Sequence, residues 1–199
     1  MPTRIEGLCI DILGLLTEAE MDAFAFQRTA GVACPPGCGS CCRDDHPEDS
    51  VLSVLPAARW ALTMGMEEHI ERAASEQPDG PCLFFDLHGR GHCAVYPLRP
   101  LICRLFGFAA VRDKYGLPTY RPCRRMEGSS AWASTPPIYA DLAQRLEQRY
   151  PPLGSQHLPI NQAVFQAAQW LSLRLPRPRP ATRRGQVRAP GSGTHPREG

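Results

Sequence analysis

Apolar residues return at helical spacing in several stretches of the chain, separated by stretches in which no period can be found. Over Thr17 to Ala30 the pattern predicts a helix, with Thr17 as N-cap, Glu20 three residues on as its capping-box partner and Gly31 as terminator. Helical spacing resumes from Leu52 to Ile70. There Pro56 suits a first turn, and Gly65 predicts a break between two short helices. Pro137 to Tyr150 and Ile160 to Leu175 read as amphipathic helices. In the second, Val164, Ala167, Ala168, Leu171 and Leu175 fall on one face and read as core.

The intervals are of a different character. Residues 32–50 form a loop rich in Cys, Pro, Gly and Asp, and Gln77-Pro78-Asp79-Gly80-Pro81 is a turn signal. Two β-prone runs, Cys82 to Asp86 and His92 to Tyr96, flank the glycines of His88-Gly89-Arg90-Gly91 and predict a small hairpin over 82–96. Pro100 can open a short helix through Cys103 to Phe106. Residues 107–135 read as irregular. The expected fold is mainly α with a small β-hairpin, an irregular cysteine-rich core flanked by helices. A single domain is expected over 1–175, with a disordered tail rich in Arg, Pro and Gly over 176–199.

Composition narrows the classes. The chain has 199 residues, 43% of them apolar, which suits a globular domain. The net charge of +2 selects no partner. Lys114 is the only lysine, against 21 arginines, a bias that weakens functional readings of single arginines. The tail lacks aromatic residues for base stacking, so nucleic-acid binding is not expected. Glu6 and Asp11 interrupt the apolar stretch around Leu8 to Leu16, and Ile5-Glu6-Gly7-Leu8-Cys9 makes a poor lipobox. Neither a signal peptide nor a membrane-spanning segment is expected, and the default location is the cytoplasm.

Cysteine changes the picture. There are nine, and eight fall between positions 34 and 123: Cys34, Cys38, Cys41, Cys42, Cys82, Cys93, Cys103 and Cys123. In a reducing compartment such a set points to metal binding rather than disulfides. Cys9, alone in an apolar pattern, reads as a packing residue. The run Cys34-Pro35-Pro36-Gly37-Cys38-Gly39-Ser40-Cys41-Cys42 places thiolates on glycine turns, whose backbone N–H groups can stabilise sulfur charge. The wide intervals Cys82-x10-Cys93-x9-Cys103-x19-Cys123 match no zinc ribbon, and three close cysteines with a distant one lean toward iron–sulfur usage. Eight thiols exceed the four that one zinc or one cubane cluster needs, so either two centres or non-ligand members are expected.

Cys38, Cys41, Cys93 and Cys103 are the foremost ligand candidates, with Cys34, Cys42, Cys82 and Cys123 after them. Arg99, Arg104, Arg124 and Arg125 lie where they can offset thiolate charge, and His46, His88 and His92 are nearby nitrogen candidates. The expected cofactor is zinc or iron, an iron–sulfur cluster included. No Ser-His-Asp set, phosphate loop or paired-carboxylate signature promotes a hydrolase or nucleotide enzyme.

Taken together, Cys34 to Cys42, Cys82-Leu83-Phe84, Cys93-x-Val95-Tyr96-x-x-Arg99-Pro100-x-x-Cys103-Arg104 and Cys123 resemble the YkgJ-type cysteine cluster family, the CxxCxxCC zinc- or iron-chelating domain. One departure is the three-residue interval Pro35-Pro36-Gly37 between the first two cysteines, where the family has two. The resemblance implies metal binding. One branch of the family resembles flagellin lysine methylases, which use S-adenosylmethionine, but no glycine-rich adenosylmethionine pattern is present here. Three functions stand open: a metal-binding domain of unassigned activity, an iron-dependent or methylase-like enzyme modifying a protein or peptide, and a thiol redox sensor.

Overall fold

The computed structural model describes residues 3–85, 91–126 and 135–175. The expected tail over 176–199 and the glycine turn with His88 therefore lie outside the described residues.

The first helix is twice as long as its sequence suggested. α1 spans Arg4–Ala30, with Thr3 as its N-cap and Glu6 completing the capping box. The expectation that Thr17 starts the helix is corrected. Its hydroxyl donates to the Leu13 carbonyl one turn back (2.8 Å), as a threonine inside a helix does. The cause is the buried series Cys9, Ile12, Leu16, Ala19, Ala23, Phe26 and Ala30, which runs through position 17 without a change of phase. Gly31 does end the helix, in the left-handed conformation (φ 66°).

After the one-turn α2 (Ser40–Arg43) and β1 (Glu48–Ser50) come α3 (Leu55–Thr63) and α4 (Glu67–Glu76). Pro56 lies in the first turn of α3, and Gly65 (φ 70°) makes the break before α4, both as expected. A 3₁₀ turn at Tyr96–Leu98 leads to α5 (Leu101–Leu105), with Pro100 as its N-cap. Then follow β2 (Ala110–Arg112), β3 (Pro118–Tyr120), α6 (Tyr139–Glu147), α7 (Pro151–Gly154), β4 (His157–Pro159) and α8 (Ile160–Ser172).

The mainly α expectation holds, but the β structure is placed differently. Among the described residues of 82–96 the hairpin shows as one antiparallel bridge, Phe85 with Cys93, supported by Ala94 N–H donating to Phe84 O (2.9 Å). The fuller hairpin is β2–β3, in a segment that read as irregular, with Ala110 opposite Tyr120 and Arg112 opposite Pro118. Its turn is closed by Asp113, whose Oδ1 accepts from Tyr115 N (2.8 Å) and Leu117 N (2.9 Å), while Gly116 supplies φ 80°. A second antiparallel pair joins β1 to β4, Glu48 opposite Pro159. It brings the start of α8 beside the cysteine-rich half. α8 packs on α3 and α4, and α1 packs on α5 and α3. No helix among the described residues is long and apolar enough to cross a membrane.

Candidate metal centre

Each cysteine segment is fixed by its own local device. The Cys38 N–H donates to Pro35 O (3.1 Å) with Gly37 at φ 70°, and Gly39 then caps α2. Gly39 is required by closeness rather than by its dihedrals. A Cβ there would stand 2.5 Å from the Phe85 ring and 2.6 Å from Gly91 O, so only hydrogen lets the knuckle seat against the Cys93 segment. The Cys82 N–H donates to Cys42 O (2.7 Å), joining the second segment to the first.

Three buried polar residues that sequence reasoning missed hold the other segments. Asn161 of α8 accepts from Leu83 N (2.9 Å) and donates to Gln77 O (2.9 Å) and Pro81 O (3.1 Å), pinning the loop that carries Cys82. The only sequence signal was an amide on an otherwise apolar helix face. Asp49 and Ser53 together cap α5. Ile102 N donates to Asp49 Oδ2 (2.8 Å), Leu101 N donates to Ser53 Oγ (2.8 Å), and Ser53 Oγ donates to Asp49 Oδ2 (3.0 Å). Burial of the Asp49 carboxyl raises its pKa against these hydrogen bonds. Cys103 lies in the first turn of the helix so capped.

These devices bring six of the eight candidate thiols to one place. Cys38, Cys41, Cys42, Cys82, Cys93 and Cys103 line a cavity of about 50 Å³, walled otherwise by apolar groups such as Phe84, Ile160 and Val164. His92 and Arg99 also line it. Cys34 is exposed and Cys123 half-buried, and neither lines the cavity. The chain around Cys123 is tied to the first knuckle by two ion pairs, Arg124 with Asp45 (3.2 Å) and Arg125 with Asp44 (3.5 Å). Cys9 is buried in the helical core, as expected. His46 is exposed, with Nδ1 against Gly80 O (3.0 Å).

The thiols meet in pairs across the cavity. Among the described residues, no three Cys, His, Asp or Glu side chains stand together as a group that could hold a metal ion. Cys42 makes thiol hydrogen bonds with both Cys41 and Cys93. These contacts, helped by the Arg99 charge, hold Cys41 down to about 7 and lower Cys93. The same contacts and burial push Cys42 far up. Burial raises Cys82 to about 12 and Cys103 well above the usual thiol range. Burial, with Cys38 beside it, raises Cys34 to about 11. Cys41 and Cys93 are thus the thiols readiest to present thiolate, the form that binds metal.

Behind the cavity lies a charge network. Arg104 is 4% exposed. It donates through Nε to Arg99 O (2.8 Å) and through its remaining nitrogens to Pro97 O (2.6 Å) and Glu20. Arg99 donates to the same Glu20 carboxylate (2.9 Å) and stacks on the Tyr96 ring (3.6 Å). Arg124 and Arg125, by contrast, remain largely exposed.

The donor set fits a soft or borderline metal such as zinc or iron, for which thiolate is the preferred ligand. No curated protein and no solved structure matches the chain. A family model does match, over residues 33–124, from just before Cys34 to just past Cys123. That segment is similar to the CxxCxxCC family, described as a putative zinc- or iron-chelating domain.

Proposed function

We propose that the cysteine-lined cavity is the metal site and that its occupant is an iron–sulfur cluster rather than a single zinc ion. The observation that carries this reading is the convergence of six thiols, drawn from four separated segments, on one cavity. Cys38, Cys41, Cys93 and Cys103 remain the foremost ligands, with Cys42 and Cys82 beside them. Cys34 and Cys123, which do not line the cavity, take a lesser part.

Size supports the choice of occupant. A single water needs about 10–15 Å³ on the same measure, so about 50 Å³ gives room for several atoms beyond one bare ion. The number of thiols also exceeds the four of a closed zinc site. When bound, such a cluster supplies one-electron chemistry. The chain's own residues supply the thiolates, the apolar wall that excludes water, and the guanidinium beside them.

Anaerobic purification of the full chain, with a visible spectrum and analysis for iron, sulfide and zinc, tests this. Brown protein with matching iron and sulfide is the expected result. Colourless protein with one zinc per chain would overturn the choice of cluster. A second reading, thiol redox sensing, draws on Cys41, whose low pKa and contact with Cys42 suit a reactive thiol. It requires metal-free protein in which mild oxidant protects Cys41 from alkylation.

A further inference from the structure

We propose that Arg99 is the cation of the metal site, donating its Nε–H into the cysteine cavity to a metal-bound sulfur. The assignment rests on the metal reading above and concerns how this chain manages the charge of its own thiolates.

A guanidinium has five N–H donors. Arg104 directs its donors to Arg99 O, Pro97 O and Glu20 and serves as a brace. Arg99 is used differently. Nη2 donates to Glu20 (2.9 Å) and Nη1 makes a long contact with Cys103 O (3.4 Å). Its Nε is buried with no hydrogen-bond partner among the described residues. A buried, unpartnered donor of this kind calls for an explanation, and Arg99 lines the cavity that holds six thiols. The stack on Tyr96 and the Glu20 contact fix the plane of the guanidinium, so the spare donor is held in place rather than swinging to solvent.

Charge points the same way. Glu20 is shared by Arg99 and Arg104, so the triad carries one positive charge that no carboxylate within it cancels. Several thiolates on one centre leave a negative charge in a poorly solvated space, and that charge needs a nearby cation.

A merely structural Arg99 would act only through Glu20 and Tyr96, and two variants separate the roles. Zinc(II) alone, titrated into the reduced full chain against a competing chelator, is the probe. Arg99→Gln should weaken binding about 10–100-fold, the range for residues directly behind a metal ligand. Arg99→Lys keeps the charge and should lose less. Glu20→Gln breaks the brace but adds net positive charge, so it should bind zinc at least as tightly as wild type. Wild-type affinity in Arg99→Gln would overturn the assignment alone. So would equal losses in Arg99→Gln and Glu20→Gln with native helix content retained. A wild-type chain that takes up neither zinc nor, on anaerobic reconstitution, iron and sulfide would overturn the metal reading and this inference with it.

Discussion

Replacing Asn161 by alanine should strip the Cys82 loop from the body of the protein. Asn161 is 2% exposed, and its amide makes three hydrogen bonds to the 77–83 segment, at 2.9, 2.9 and 3.1 Å. Three such bonds at a net of about 1 kcal/mol each, with a buried Leu83 N–H left unpaired, give an expected loss of about 3–4 kcal/mol. That is a large share of the roughly 5–15 kcal/mol by which a domain is stable. Asn161→Asp keeps the acceptor for Leu83 but turns a carboxylate toward two carbonyl oxygens, so it should cost at least about 2 kcal/mol. Urea unfolding of the reduced full chain, followed by far-UV circular dichroism, gives both numbers directly. Metal content after anaerobic purification should fall in step, since Cys82 immediately precedes the residue that Asn161 holds. An Asn161→Ala midpoint within about 1 kcal/mol of wild type, at unchanged denaturant slope, would refute the view that this amide fastens the loop.

Cys41→Ser should lose nearly all bound metal while Cys34→Ser loses part, because Cys41 lines the cavity and Cys34 does not; equal metal content in wild type and Cys41→Ser would sink that ranking. Stripping the metal with a chelator should lower the melting temperature and increase hydrogen exchange over 32–50, since that segment has little apolar periodicity to hold it. An unchanged melting temperature after verified metal loss would count against this. Gly39→Ala should destabilise the protein by about 2 kcal/mol or more, by forcing the knuckle away from Phe85 and Gly91, and thermal melting of the reduced chain measures it.

Local chemistry was legible in the sequence where one residue type settles the matter. Gly31, Pro56, Gly65 and Pro100 stand at the helix ends and breaks their chemistry predicted. Thr17 misled because a threonine followed by glutamate at the third position looks the same inside a long helix as at its start. Only the buried periodicity reaching back to Cys9 distinguishes them. The β2–β3 hairpin was hidden because its strands are three residues long, too short to show an alternation, and Pro118 begins the second. Its Asp113 and Gly116 were the usable signal. The cysteines announced their chemistry but not their grouping. That grouping depends on contacts between distant residues, such as Asn161 with Leu83 and Glu20 with Arg99, and no local pattern encodes them.

The cavity's scattered parentage bears on how the protein is made. A ribosome extends a chain at about 5–20 residues per second, so the interval between Cys38 and Cys103 takes roughly 3–13 s to emerge. Ile160 and Val164, which wall the same cavity, follow after a comparable delay. Throughout that time the nascent chain shows its first thiols to solvent without their partners or their apolar cover. Insertion of the metal therefore belongs after translation of α8, when the last wall arrives and the site first exists as an enclosed space.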